Sequence, residues 1–105
     1  MIIYVDIDET ICTNKHSEEI DYADAQPIMS NIEKINKMFD EGNTIVYWTA
    51  RGTITKKDWS HVTLAQFKKW GVKYHELKFG KPFYDLIICD KSLNPCVWNG
   101  NINTR

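Results

Sequence analysis

The stretch Met1-Ile2-Ile3-Tyr4-Val5-Asp6-Ile7-Asp8-Glu9-Thr10 decides the reading of this chain. Ile2 to Val5 is a short apolar, β-branched run that stops abruptly at Asp6, the pattern of a buried strand. Asp6 and Asp8 then stand at i and i+2 on the turn that leaves it. Two carboxylates so placed reach one small volume. There they bind a hard divalent cation, or their pKa values separate so that one serves as base and the other as acid. Alone, the same letters also describe an Asp-rich turn that merely ends a strand.

Working outward, residues 7 to 27 are polar and irregular, with a weak apolar cluster around Ile11. Pro27 opens a helical pattern, as proline does in a first turn. Ile28, Ile32, Ile35 and Phe39 form its apolar stripe, while Asn31, Glu33, Lys34 and Lys37 face water. Gly42 stops it. Thr44 to Trp48 is a second β-branched and aromatic run, ending in the polar turn Thr49-Ala50-Arg51-Gly52-Thr53. Thr55, with Asp58 as a box-like partner, starts a second helix that runs to about Trp70, its apolar side carrying Trp59, Val62, Phe67 and Trp70. Gly71 ends it. A third strand is expected within Tyr74 to Phe79 and a fourth over Leu86 to Cys89, closing on Asp90. Strand–helix alternation with continuous apolar strands predicts an α/β fold, a mainly parallel sheet in a Rossmann-like three-layer sandwich. With right-handed crossovers, the ends carrying Asp6, Thr49 and Asp90 point the same way, to the edge where such sheets bind ligands.

The bulk properties bound the function. The chain has 105 residues, enough for one domain spanning 1–105. Its net charge is −1, and no basic tail points to nucleic acid. The cysteines, Cys12, Cys89 and Cys96, are odd in number with no CxxC pair, which fits reduced thiols in a cytoplasmic protein. Acidic residues arrive after five positions, too soon for a signal-peptide apolar region, and no segment approaches a membrane span. His16, His61 and His75 lack the spacing of a zinc site, and the four tryptophans are core candidates, Trp98 against a tail or subunit contact.

Four motifs resemble those of the haloacid dehalogenase superfamily. Tyr4-Val5-Asp6-Ile7-Asp8-Glu9-Thr10 is similar to its DxDx[TV] first motif, Thr49 to its second, Lys81 in Gly80-Lys81-Pro82 to its third-motif lysine, and Asp90 to its acidic fourth. They occur in the family's order and cover nearly the whole chain. The resemblance implies a phosphatase working through an aspartyl-phosphate. Asp6 would attack phosphorus, and Asp8 would protonate the leaving oxygen and later deprotonate water. Thr49 and the backbone N–H groups beside it, at Ala50 and Arg51, would hold phosphate oxygens, and Lys81 would neutralise charge. Mg²⁺ would be held by Asp6, the Asp8 carbonyl and Asp90. The fourth motif departs from the common double-acid form, because Cys89 precedes Asp90 and a neutral thiol is a poor ligand for a hard cation. Cys89 then reads as a small buried residue that fills space. Arg51 reads either as a second anion ligand or as a solvated loop charge.

The superfamily's cap domain fits neither insertion point. Residues 11 to 27 allow one helical turn and a small hairpin, and Gly71 to Phe79 is filled by the third strand. A capless, open site suits a large substrate or cover by a neighbouring subunit of a homo-oligomer. Gly80-Lys81-Pro82-Phe83-Tyr84-Asp85 and Asp90-Lys91-Ser92-Leu93-Asn94-Pro95 resemble the small capsule- or polysaccharide-biosynthesis phosphatases, which implies a phosphorylated sugar or related metabolite. The alternatives are a nucleic-acid end phosphatase and a phosphate- or phosphoprotein-binding module with weakened catalysis.

Overall fold

The computed structural model describes residues 1–14, 21–95 and 97–100. His16 and Cys96 therefore lie outside the described residues. Strand β1 is Ile2–Val5, and after the Asp6–Ile11 turn a two-residue strand β2, Cys12–Thr13, pairs antiparallel with β3, Gln26–Pro27. A single 3₁₀ turn, Tyr22–Asp24, precedes β3, its first N–H groups capped by the Asp21 carboxylate. The described part of residues 11–27 thus holds a short antiparallel strand pair and one helical turn.

Helix α1 spans Met29–Asp40, and Pro27 ends β3 rather than opening the helix. Ile32, Ile35 and Met38 bury their side chains against the sheet, each contributing roughly 1.5–3 kcal/mol of apolar burial. Asn31 does not face water as its polarity suggested. It is buried, and its Nδ2 donates to the Thr10 carbonyl at 2.8 Å, tying the helix to the Asp6–Thr10 turn. Strand β4, Thr44–Trp48, follows at the bounds its composition marks. Helix α2 spans Ser60–Trp70, four residues later than a Thr55 cap would place it. Trp59 is its N-cap residue, and the carboxylate of Asp58 just before it accepts the Ser60 N–H at 2.8 Å. Gly71, at φ +69°, supplies the left-handed C-cap, and strand β5 is Glu76–Lys78.

The main sheet is β1-β4-β5, parallel throughout. Val5 pairs with Tyr47 and Tyr47 with Leu77, so the three carboxyl ends are flush. Chain leaving β1, β4 and β5 therefore begins at one level, which brings Asp6, Thr49 and the Gly80–Lys81 turn together. One apolar cluster underlies that edge, from Val5, Ile7 and Ile11 through Ile45 and Tyr47 to Phe67 and Trp70. Tyr47, Phe67 and Tyr74 meet edge-on there.

The expected fourth strand is absent. Leu86 to Cys89 forms no ladder among the described residues, with Leu86 77% and Ile88 92% exposed. An isolated apolar run cannot form a strand without a partner row of backbone donors and acceptors, and here none is engaged. Among the described residues the outer edge of β1 is likewise unpaired, and Ile2 and Tyr4 are exposed rather than buried.

Candidate functional site

A cavity of about 980 Å³ opens at the carboxyl edge of the sheet, bordered by Asp6, Asp8, Ala50, Arg51, Trp59, Lys81 and Phe83 among others. Asp6 leaves β1 directly. Its Oδ1 accepts the Ile7 N–H at 2.9 Å and lies 3.4 Å from the Lys81 ammonium. Among the described residues no donor engages Oδ2, and the side chain keeps 40% of its surface open. Burial raises the Asp6 pKa above the ordinary carboxylate range, against the pull of Lys81 and the Ile7 N–H, and the nearby Asp8 charge adds to the rise.

Lys81 is placed by its backbone. Its N–H donates to the Thr49 carbonyl at 3.0 Å, and its own carbonyl accepts from Thr53 Oγ1 at 2.8 Å. The ammonium lies 5.2 Å from the Tyr84 ring centroid and 5.9 Å from that of Trp48.

Thr49 is buried beneath the edge rather than lining the cavity. Its Oγ1 accepts the Arg51 N–H at 3.0 Å, closing the tight turn after β4. Gly52 is required in that turn. It stands at φ +78°, and a Cβ there would overlap the Lys57 carbonyl oxygen.

Arg51 overturns both readings its position invited. Its side chain has 0% exposure, so it is no solvated loop charge. Nor is it available to a substrate anion, because protein acceptors surround the guanidinium. Nε lies 3.0 Å from Asp8 Oδ2, and Nη2 lies 2.9 Å from Asp8 Oδ1 and 3.7 Å from Cys12 Sγ. Nη1 donates to Thr63 Oγ1 at 3.0 Å and to Gln66 Oε1 at 2.6 Å. A guanidinium has five N–H donors, and these contacts employ all of them. The Tyr22 ring covers one face, 4.8 Å away. Asp8 takes a further bond from Asn14 Nδ2, at 2.8 Å to Oδ1. Cys12, buried beside this pair, has its thiol pushed up to about 12 by burial and by the Asp8 charge, which makes it inert.

Asp90 is not brought to this cavity. It lies exposed on a turn beyond the unpaired Leu86–Cys89 run, outside the residues that border the opening. Cys89 is exposed too, not buried filler, and its sulfur accepts the Lys91 N–H at 3.4 Å. Of the donors implied for Mg²⁺, the fold gathers Asp6 and Asp8 alone. Lys81 already engages Asp6 Oδ1, and the donor implied from Asp8 is its backbone carbonyl, since Arg51 holds both of its carboxylate oxygens. Among the described residues no three His, Cys, Asp or Glu side chains come together as a metal site. A hard cation needs a fuller oxygen shell than Asp6 and the Asp8 carbonyl supply, and Asp90, which would add to it, does not border the cavity.

Asn14, Tyr22, Thr63 and Gln66 escaped the sequence reading. One signal was available: Thr63 and Gln66 stand three apart on α2, on the face that also carries Phe67 and Trp70. Polar residues on an apolar helix face imply a buried polar partner, here Arg51.

No family model and no curated protein matches the chain. Among solved structures it is similar to a structural-genomics target protein from Vibrio cholerae, at 24% identity and a TM-score of 0.78 over 90% of this chain and 84% of that one. That likeness shows a shared α/β fold. No described helix is long and apolar enough to cross a membrane.

Proposed function

We propose that this chain is a phosphomonoester hydrolase, on a haloacid-dehalogenase-like, Rossmann-type core without a cap, with Asp6 as covalent nucleophile. The observation that carries the reading is the pairing of Asp6 with Lys81, 3.4 Å apart on the floor of an open cavity that Asp8 also borders. Asp6 Oδ2 attacks phosphorus as the ester oxygen departs in line. The product is an aspartyl-phosphate, which water then cleaves at phosphorus. Two anions repel on approach. Lys81 offsets that repulsion from a fixed position and in partial burial, where a charge acts more strongly than in water. Asp8 enters the first step carrying a proton, gives it to the leaving oxygen and becomes the carboxylate, and regains a proton from the attacking water. The N–H groups of Ala50 and Gly52 hold the phosphoryl oxygens, because those of Thr49 and Arg51 already donate to the Lys78 carbonyl and to Thr49 Oγ1.

Exposed Ile54 and Phe83 and the half-exposed Tyr84 give the opening an apolar lip. A sugar ring or a similar cyclic metabolite suits such a lip better than a highly charged acyclic one.

The test is phosphate release from an aryl phosphate and a panel of sugar phosphates, with and without Mg²⁺, since the family resemblance implies dependence on that ion. A 5′-phosphorylated oligonucleotide serves as the competing substrate. Activity is expected on ring-bearing monoesters and is abolished by Asp6→Asn. An Asp6→Asn protein as active as the parent would remove the nucleophile and the reading with it.

A further inference from the structure

We propose that Arg51 is the positioning residue for Asp8: it fixes that carboxylate on the scaffold of α2, so that one oxygen alone, Oδ2, has capacity left for a proton. This rests on the phosphatase reading above and adds a residue to it.

The acceptor sites of the two Asp8 oxygens are unequally filled. An ionised carboxylate offers about four lone-pair positions, two per oxygen. Asp8 Oδ1 takes Arg51 Nη2 at 2.9 Å and Asn14 Nδ2 at 2.8 Å, and the Cys12 thiol approaches it at 3.5 Å. Oδ2 takes Arg51 Nε at 3.0 Å and, among the described residues, nothing else. The fork engages both oxygens at once, so the carboxylate cannot rotate about its χ2 bond without losing two charge-assisted bonds.

A fork positions a partner only if it is itself held. The Arg51 end is anchored by Thr63 and Gln66 on α2, and Gln66 Nε2 in turn donates to the Tyr22 carbonyl at 2.5 Å. Thr63 Oγ1 also donates to the Trp59 carbonyl at 2.8 Å. Tyr22 lies over the guanidinium and meets Trp59 edge-on at 4.9 Å. Rigid elements on two sides therefore set the Arg51 plane, and Arg51 sets Asp8. The Asp8 side chain itself stays 24% open toward the cavity. An anion-binding arginine would show spare donors and exposure, and this one shows neither.

The experiment is a double-mutant cycle of Arg51→Lys and Asp8→Asn, read by kcat, KM, inorganic phosphate affinity and thermal unfolding. Lysine keeps the charge but lacks the planar fork. Arg51→Lys is expected to lower kcat about 100-fold, the scale of a misplaced catalytic group, with KM and phosphate affinity nearly unchanged. In the Asp8→Asn background it is expected to cost little further turnover. A rise in KM and phosphate Kd matching the fall in kcat/KM would make Arg51 an anion ligand and overturn the proposal. Equal kcat losses in both backgrounds would make it merely structural and do the same. If Arg51→Lys does not fold, the double variant Thr63→Val with Gln66→Met decides, because it leaves the fork and removes both of its anchors on α2. A drop in kcat at constant KM then supports the proposal, and an unchanged kcat overturns it. Should the parent hydrolyse nothing in the panel, the phosphatase reading fails. Non-additive melting shifts in the cycle would still support the Arg51–Asp8 linkage, and additive shifts would overturn it.

Discussion

Replacing Tyr47 with phenylalanine should make this protein more stable. Tyr47 is fully buried on β4, the middle strand of the sheet, and its hydroxyl has no hydrogen-bond partner among the described residues. The same burial pushes its ionisation far above that of an ordinary phenol. A buried polar group without a partner forfeits its bonds to water and costs about 1–3 kcal/mol. The ring is what the core uses. It lies 4.9 Å from Phe67 and 6.4 Å from Tyr74, both edge-on, and phenylalanine keeps those contacts. Part of the gain is offset by the small void left at the oxygen, so a net stabilisation of about 1 kcal/mol is expected. For a domain of this size that is a rise in Tm of about 4–8 °C. Thermal and urea unfolding followed by circular dichroism would measure it, with an unchanged urea m-value confirming that the folded and unfolded states keep their extents. A fall in Tm would show that the hydroxyl has a partner and that the account of this core is wrong.

Three further outcomes follow from named contacts. Gly52→Ala should destabilise by at least about 2 kcal/mol and reduce activity, because its φ of +78° and the Lys57 carbonyl leave no place for a methyl group; a parent-like melting curve would refute that turn. Ile88→Ser should change stability by less than about 0.5 kcal/mol, since the side chain is 92% exposed; a loss of 2 kcal/mol or more in urea unfolding would show the Leu86–Cys89 run packed as a strand. Asp6→Asn should be no less stable than the parent near neutral pH. The folded-state pKa of Asp6 is raised, so its contribution to stability is full below the unfolded carboxylate value and is lost as pH rises through the folded one. The melting advantage of the asparagine variant should therefore shrink as pH falls below about 4, and an advantage that grew there would reverse the sign assigned to Asp6.

Much of the fold was legible in the chain because it is written locally. β-branched runs bounded by acids or turn residues marked β1 and β4, and glycines marked the ends of both helices. The first-motif carboxylates and Lys81 were legible as well, since each follows a strand or turn whose direction the alternation implies. Thr55 and Leu86–Cys89 misled for a shared reason. Cap and strand propensities are satisfied by several local structures, and what settles them is whether a backbone partner comes within reach. Asp58 met the α2 terminus first, and among the described residues no strand paired with residues 86–89.

What the sequence by itself determined is therefore the α/β alternation and the placing of Asp6, Asp8 and Lys81 at strand ends, because periodicity and turn chemistry act within a few residues. Tertiary structure alone decided that Arg51 is buried against Asp8, Thr63 and Gln66, since those partners stand 43, 12 and 15 residues away. A charge two positions after a strand looks the same on paper whether it meets water or a carboxylate. Only the closing of α2 over that turn removes the water and makes the pair obligatory.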